Sequence, residues 1–202
     1  MRRLSLIAIA LLPAAAAAQQ FTQNARIAHL SAPIALDTTG RFESAIDRVG
    51  DDMFIGGQPT ERALREMKAQ GVTTVVNLRT PEEMKRTVKF DEPALVAQLG
   101  MKYVYLPVRG DSAFPFTSET VSRFADAVEH AHGKVLLHCT VGWRASHLWA
   151  AYLIRDRGIA ETDAIANARA INLMDEHHMT SNGKQPVEEF LGRTLTAVKH
   201  PE

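Results

Sequence analysis

Apolar and polar positions after residue 51 fall into short strand-like runs that alternate with helix-like segments. Four runs of mainly apolar or β-branched residues predict strands: 52–55, 72–78, 103–108 and 134–138. Apolar residues three or four positions apart predict six helices: one capped by Thr60, 92–99, one capped by Thr117 or Ser118, 145–154, 161–173 and 187–198. This alternation indicates an α/β fold, with a central, mostly parallel sheet flanked by helices.

The first 18 residues have the pattern of a secretory signal peptide. Arg2 and Arg3 precede an apolar run at 4–12, and a run of alanines ends at Ala18, where cleavage is expected. The apolar run is shorter than the ~20 residues of a membrane-spanning helix, so an uncleaved anchor is the less favoured alternative. We therefore expect an exported, periplasmic protein that is not an integral membrane protein after signal cleavage.

The remaining chain divides into a leader and one domain. Residues 19–51 mix polar and isolated apolar positions without a sustained period, which predicts a loosely attached leader with a short turn of helix near 42–49. Residues 52–200 contain the predicted strands and helices. A chain of 202 residues, 46% of them hydrophobic, is long enough for one core but not for two large ones.

The charge distribution argues against polyanionic partners. The chain has 23 basic and 23 acidic residues, and removal of the signal peptide leaves 21 basic residues against 23 acidic ones. It contains no polybasic run, so nucleic acid and anionic membrane surfaces are not expected as partners. A binding site for an anion must therefore be local.

Cys139 is the only cysteine, and it lies where a strand passes through a tight loop into a helix. Open α/β sheets bind their ligands at this edge, at the carboxyl ends of strands. Backbone N–H groups of the loop, the helix N-terminus and the Arg144 guanidinium would each stabilise a Cys139 thiolate. The same groups would bind a tetrahedral anion. An inert buried thiol is the alternative.

The segment from Cys139 to Arg144 is called the anion loop below. Its predicted substrate-binding residues are Thr140, Val141, Gly142, Trp143 and Arg144. Glycine at position 142 allows the backbone to turn without a Cβ in the way. The indole of Trp143 either covers the pocket or packs on the neighbouring helix.

Four segments resemble, in their order along the chain, the protein-tyrosine and dual-specificity phosphatase superfamily: Gly56-Gly57-Gln58-Pro59-Thr60, Val75-Val76-Asn77-Leu78-Arg79, Tyr105-Leu106-Pro107-Val108 and His138-Cys139 through Arg144. The bacterial beta-lactamase-hydrolase-like phosphatase-like family is the branch that the chain resembles most. The resemblance covers about residues 53–154. It implies a fold of the dual-specificity type, a phosphorylated protein or small molecule as substrate, and no metal or organic cofactor.

The resemblance also implies roles for individual residues. Cys139 corresponds to the nucleophile, Arg144 to the phosphate-binding arginine, and Asp111, 28 residues before the cysteine, to the general acid. His138 and Ser146 correspond to residues that support the loop. Taken without the resemblance, Asp111 is equally an ordinary turn aspartate and His138 a core residue.

The anion loop departs from the superfamily pattern in two ways. Four residues separate Cys139 from Arg144 where the superfamily usually has five, and Ala145 replaces the usual hydroxyl, with Ser146 one position later. The leading hypothesis is a cysteine-dependent phosphatase that forms a phosphocysteine intermediate. One alternative is a rhodanese-like sulfurtransferase with a Cys139 persulfide, because the loop spacing is similar. The other is a catalytically silent domain that binds an anion or a partner.

Two histidine pairs raise the question of a metal site. His130 and His132, and the adjacent His177 and His178, lack a third ligand at a recognisable spacing. The sequence therefore favours surface histidines, and no metal ion is expected.

Overall fold

The computed structural model describes residues 30–37, 39–174, 180 and 182–198. Contacts divide the chain into two units, 1–30 and 31–202, and all described residues except Leu30 belong to the second. The predicted signal peptide, 1–18, lies outside the described residues and stays a prediction. None of the helices in the described part of the chain is long and apolar enough to cross a membrane.

Six strands form one mixed sheet in the order β1-β2-β3-β6-β4-β5. They are β1 (Pro33–Ala35), β2 (Ile46–Val49), β3 (Met53–Gly56), β4 (Val72–Asn77), β5 (Lys102–Tyr105) and β6 (Lys134–His138). Strands β3, β6, β4 and β5 run parallel to one another, whereas β2 is antiparallel to both β1 and β3. This topology confirms the predicted α/β class with a mostly parallel sheet.

The described residues include seven helices: α1 (Glu61–Ala69), α2 (Pro81–Thr87), α3 (Glu92–Gln98), α4 (Ser118–Glu129), α5 (Trp143–Asp156), α6 (Glu161–Ile171) and α7 (Pro186–Leu191). Four begin with a side-chain cap, in which an oxygen accepts a hydrogen bond from a free N–H of the first turn: Thr60, Thr80, Asp91 and Thr117. The cap of α1 is therefore the predicted one, and the cap of α4 is Thr117 rather than Ser118.

The sheet is buried between two layers of helices. Phe54, Val75 and Leu136 point to one face and pack with α1 and α3. Their neighbours along the strands point to the opposite face, where α4 and α5 contact the sheet. Helix α5 packs in turn on α4, α6 and α7 and is buried over most of its length. An almost wholly apolar helix is what this position between sheet and helices requires.

The N-terminal strands lie within the range 19–51 that the sequence assigns to a leader. The helical turn expected near 42–49 is wrong, because residues 46–49 form β2, and Ile46 is 1% exposed in the core. The segment is also held by α6, where the Asn167 amide donates to the carbonyl of Ser31 at 2.8 Å. A four-residue segment acquires strand structure through its pairing with β3, which no local pattern encodes.

Two helices differ from the sequence prediction. Helix α2 was not predicted because none of its residues is buried, so it has no apolar stripe. Only a Thr80–Glu83 capping box and a proline in the first turn mark it. Helix α7 ends at Leu191, well before the predicted end at 198, because Gly192 adopts a left-handed conformation with φ of 67°.

Gly56→Ala should lower the free energy of unfolding by about 2 kcal/mol. The new Cβ would lie 2.5 Å from the carbonyl oxygen of Ala45 and 2.7 Å from the Cα of Ile46, so β2 and β3 would have to separate. Urea unfolding of the purified protein measures this loss. Gly158→Ala is the control: with φ of +66° but no atom within 4 Å, it should cost only about 1 kcal/mol. Equal losses would contradict the steric argument.

Candidate active site

The anion loop leaves the carboxyl end of β6, in the middle of the parallel part of the sheet. Cys139 follows directly after β6 and is 1% exposed, and α5 begins at Trp143. Gly142 is the N-cap of α5 and has φ of 87°, a left-handed conformation that favours glycine. The strand, the tight turn and the buried helix are thus arranged as the sequence predicted.

Backbone hydrogen bonds attach the anion loop to the segment that follows β3. The Cys139 N–H donates to the carbonyl of Gly56 at 3.2 Å. The Gln58 N–H donates to the carbonyl of Thr140 at 3.0 Å, and Gly57 and Val141 form an antiparallel bridge. The Gly-Gly-Gln stretch therefore forms one wall of the anion loop. The close approach of the two backbones is a structural reason for the two glycines at the start of this stretch.

Arg144, the last residue of the anion loop, is buried, and Glu83 of α2 binds its guanidinium. Nη1 and Nη2 donate to the two carboxylate oxygens of Glu83 at 2.9 and 2.6 Å. Nη1 also donates to the carbonyl of Val108 at 2.7 Å, and Nη2 to the hydroxyl of Thr140 at 3.0 Å. The bidentate pair fixes the plane of the guanidinium as well as its position.

Electrostatic interactions keep both partners of this pair ionised. Burial alone raises the pKa of Glu83, but hydrogen bonds from Arg144 and Thr80 lower it from 4.5 to about 2. Burial alone lowers the pKa of Arg144, but the hydrogen bond to Glu83 and the neighbouring Cys139 raise it above its usual value. Both charges of the Glu83–Arg144 pair are therefore retained next to Cys139.

Beneath the anion loop, a fully buried carboxylate collects hydrogen bonds from three parts of the fold. Glu92 accepts from His138 Nε2 at 3.0 Å, from Asn77 Nδ2 at 3.1 Å and from the amide of Gln58. Burial raises the pKa of Glu92, but the charge and hydrogen bond of His138 and the amide of Gln58 lower it below its usual value. Because the carboxylate is ionised, the His138 ring nitrogen is the donor.

Asp111 lies in the loop after Val108, and its contacts are within that loop. Its carboxylate accepts from the N–H groups of Phe114 and Ala113 at 2.8 and 3.0 Å and pairs with Arg109. The hydrogen bond from Phe114 and the contact with Arg109 lower the pKa of Asp111. The hydrogen bond from Arg144 to the Val108 carbonyl brings the start of this loop to the site. The role of Asp111 as the general acid stays a prediction.

The remaining predicted residues have different surroundings. Trp143 is half-buried and packs edge-on against His147, with 4.9 Å between the ring centroids. Ser146 is buried and donates its hydroxyl to the carbonyl of Trp143 at 2.8 Å. The Val141 side chain is 44% exposed. Of the predicted set, the described contacts therefore bring together Cys139, Thr140 and Arg144.

Sequence reasoning missed the carboxylates and amides that position these groups. Glu83 was detectable only as part of a capping box, and Gln58 and Asn77 appeared in phosphatase-like segments without a role. Glu92 showed no signal, because a glutamate at the start of a helix is ordinary. The described residues contain no cluster of three or more potential metal ligands, and His177 and His178 lie outside them.

Glu83→Gln should lower the free energy of unfolding at pH 7 by about 2 kcal/mol. The Glu83 pKa is depressed in the folded state, so its contribution is complete above pH 4.5 and is lost as the pH falls toward about 2. The difference between the wild type and the variant should therefore shrink over that range, which urea unfolding at several pH values measures.

Glu82→Gln is the matched control, because Glu82 is 73% exposed and pairs with Arg109 at the surface. Its substitution should change stability by less than about 1 kcal/mol. A Glu83→Gln effect that is the same at pH 7 and pH 3 would contradict the proposed ionic origin.

Comparison with known proteins identifies the family of this chain as a phosphatase family. A family model described as DSP-PTPase phosphatase fused to NAD+ kinase matches residues 23–189. The chain is also 28% identical over 128 residues to the beta-lactamase hydrolase-like protein of Xylella fastidiosa. That match covers 62% of this chain and 29% of the relative, so the chain spans less than a third of the relative's length.

Solved structures confirm the fold. A phosphatase-like DUF442 protein from Shewanella putrefaciens superposes with a TM-score of 0.51 and 28% identity, over 64% of this chain and 80% of that one. TpbA of P. aeruginosa superposes with a TM-score of 0.54 and 20% identity, over 80% of this chain and 95% of that one. Because the family model spans most of its length, the chain belongs to the DSP-PTPase family of phosphatase domains described as fused to NAD+ kinase.

Proposed function

We propose that this phosphatase-family protein hydrolyses phosphate monoesters through a phosphocysteine intermediate at Cys139. The observation that carries the proposal is the buried Arg144 guanidinium beside Cys139, at a turn from a parallel strand into a helix. A cation, backbone N–H groups of the loop and a helix N-terminus together suit a phosphoryl group. Membership of a phosphatase family supports the same reaction class.

The reaction has two displacement steps. In the first, the Cys139 thiolate attacks phosphorus, the S–P bond forms, and the bond from phosphorus to the leaving oxygen breaks. Arg144 and loop N–H groups stabilise the equatorial oxygens, and Asp111 gives its proton to the leaving oxygen. In the second step, water attacks phosphorus, Asp111 accepts a proton from it, and inorganic phosphate leaves with the thiolate restored.

The bidentate Glu83 pair supports a fixed orientation for Arg144 in this mechanism. Glu83 takes one edge of the guanidinium, at Nη1 and Nη2, so the group does not have to be ordered when a substrate binds. The pair also leaves little net charge beside the substrate. Loop N–H groups must therefore supply much of the stabilisation of the phosphoryl oxygens.

Aryl phosphates are the first substrates to test. TpbA of P. aeruginosa, which shares this fold, was crystallised with pTyr. The loop with four residues between Cys139 and Arg144 also suits the alternative of sulfur transfer, which the family membership does not favour. A paired assay distinguishes the two reactions.

Cys139→Ser should reduce aryl phosphate hydrolysis to background, because a serine hydroxyl is not ionised by these surroundings and is a much weaker nucleophile. Phosphate release by the reduced protein and by the variant measures this, with circular dichroism to check that the nearly isosteric variant is folded. Thiocyanate formation from thiosulfate and cyanide is followed in parallel. Hydrolysis that survives in the variant would rule out the phosphocysteine, and cysteine-dependent thiocyanate formation would favour sulfur transfer.

Asp111→Asn should lower kcat for phenyl phosphate by about 100-fold and for p-nitrophenyl phosphate by less than about 10-fold, because only the poorer leaving group needs a proton. A general acid works in its protonated form, so the rate falls as the pH rises through its pKa. Because the pKa of Asp111 is lowered, this fall should occur below the ordinary aspartate pKa of 3.8. The pH profile of the variant should lack the fall.

Steady-state kinetics with both substrates over a range of pH make this test. Ser112→Ala, in the same exposed loop, is the control and should leave both rates and the pH profile unchanged. An equal loss with the two substrates would remove Asp111 from the role of acid.

A further inference from the structure

Arg144 has at least two oxygen acceptors at each of its two terminal nitrogens. Nη1 donates to the Glu83 carboxylate at 2.9 Å and to the carbonyls of Val108 and Leu78 at 2.7 and 3.4 Å. Nη2 donates to the same carboxylate at 2.6 Å and to the Thr140 hydroxyl at 3.0 Å. Each of these nitrogens carries two hydrogens. A phosphoryl oxygen that binds either nitrogen therefore competes with an oxygen of the protein.

The carbonyl and carboxylate acceptors of Arg144 are held in place by further contacts. The Leu78 carbonyl also accepts from the Val108 N–H at 3.0 Å, so the two carbonyls belong to paired backbone segments. Glu83 is ionised, with its pKa lowered to about 2, and its carboxylate also accepts from the Thr80 N–H at 2.8 Å. Displacing one of these acceptors would therefore move the backbone or break an ion pair.

The Thr140 hydroxyl is the acceptor that a ligand can displace at the lowest cost. It is neutral, and it belongs to a half-buried side chain that directly follows Cys139. It accepts from Arg144 Nη2 and donates to the Glu83 carboxylate at 3.2 Å. A phosphoryl oxygen carries negative charge and binds a guanidinium N–H more strongly than a neutral hydroxyl does. Rotation about the Cα–Cβ bond releases Nη2 without movement of the backbone.

We propose that Thr140 is a positioning residue for phosphoryl binding: its hydroxyl holds the Nη2 donor of Arg144 until a phosphoryl oxygen displaces it. The inference rests on the proposed function for the identity of the ligand. Thr140 thereby lowers the affinity of the site for phosphoryl ligands, including the inorganic phosphate that the reaction releases. The sequence predicts Thr140 as a substrate-binding residue, whereas here its hydroxyl opposes binding.

The test measures inorganic phosphate binding by calorimetry and p-nitrophenyl phosphate kinetics for Thr140→Val, which replaces the hydroxyl by a methyl group of similar size. Phosphate should bind about 5-fold more tightly, the value of one hydrogen bond that no longer has to be broken. KM should fall by about 5-fold with kcat changed by less than about 2-fold, because the substrate complex and the transition state gain equally relative to the free protein.

Two variants are the matched controls. Thr140→Ser keeps the hydroxyl and should bind phosphate within about 2-fold of the wild type. Thr73→Val removes a hydroxyl that has no hydrogen-bond partner among the described residues, near the amino end of β4 and away from the anion loop. It should leave phosphate affinity and KM unchanged.

Thermal unfolding separates competition from damage to the loop. Without phosphate, Thr140→Val should unfold at a lower temperature than the wild type, because Arg144 loses an acceptor. Added phosphate should raise its Tm by more than it raises that of the wild type, since the variant binds the ligand more tightly. A purely structural effect would lower stability without a gain in phosphate affinity.

The outcomes separate this inference from the proposed function. Weaker phosphate binding by Thr140→Val would show that the hydroxyl contacts the ligand, and unchanged binding would show that it does not compete; either result overturns the inference. Tighter binding in a protein that does not hydrolyse aryl phosphates would support the inference and contradict the proposed reaction. If neither the wild type nor the variant binds phosphate, Arg144 does not bind an anion and the inference is wrong.

Discussion

The buried pair between Glu92 and His138 is the interaction on which the rest of the site depends. Both side chains are fully buried, with 3.0 Å between the carboxylate and Nε2. A charged carboxylate in such a position is tolerated only when donors surround it, and removing one partner leaves a costly unsatisfied charge. Its donors come from β6, from Asn77 at the end of β4 and from Gln58 after β3. The pair therefore links the end of β6, from which the anion loop departs, to the ends of β4 and β3.

A second pair, between Glu83 and Arg144, is less deeply buried than the first and orients the Arg144 guanidinium. The two pairs act differently: the deeper one fixes the backbone of the loop, and the upper one fixes a side chain. Because Glu83 offsets the charge of Arg144, correctly directed backbone N–H groups become more important for an anion.

Local sequence signals predicted most of the fold because strands, helices and caps depend on neighbouring residues. The four parallel strands, the cap at Thr60 and the buried character of α5 all follow from such patterns. Strand β2 was missed because its structure depends on pairing with β3, and α2 because it buries nothing. Where the tertiary contacts contribute more than the local pattern, single-sequence reasoning fails.

The sequence by itself determined the α/β class and the strand–loop–helix segment that contains Cys139, because each is written in consecutive residues. Only the tertiary structure decided which polar groups meet there. Glu83 and Arg144 are 61 positions apart, and Glu92 and His138 are 46 apart. No spacing rule connects such residues, because their separation along the chain depends on the intervening elements. They meet because parallel pairing brings the carboxyl ends of β3, β6 and β4 to one edge of the sheet.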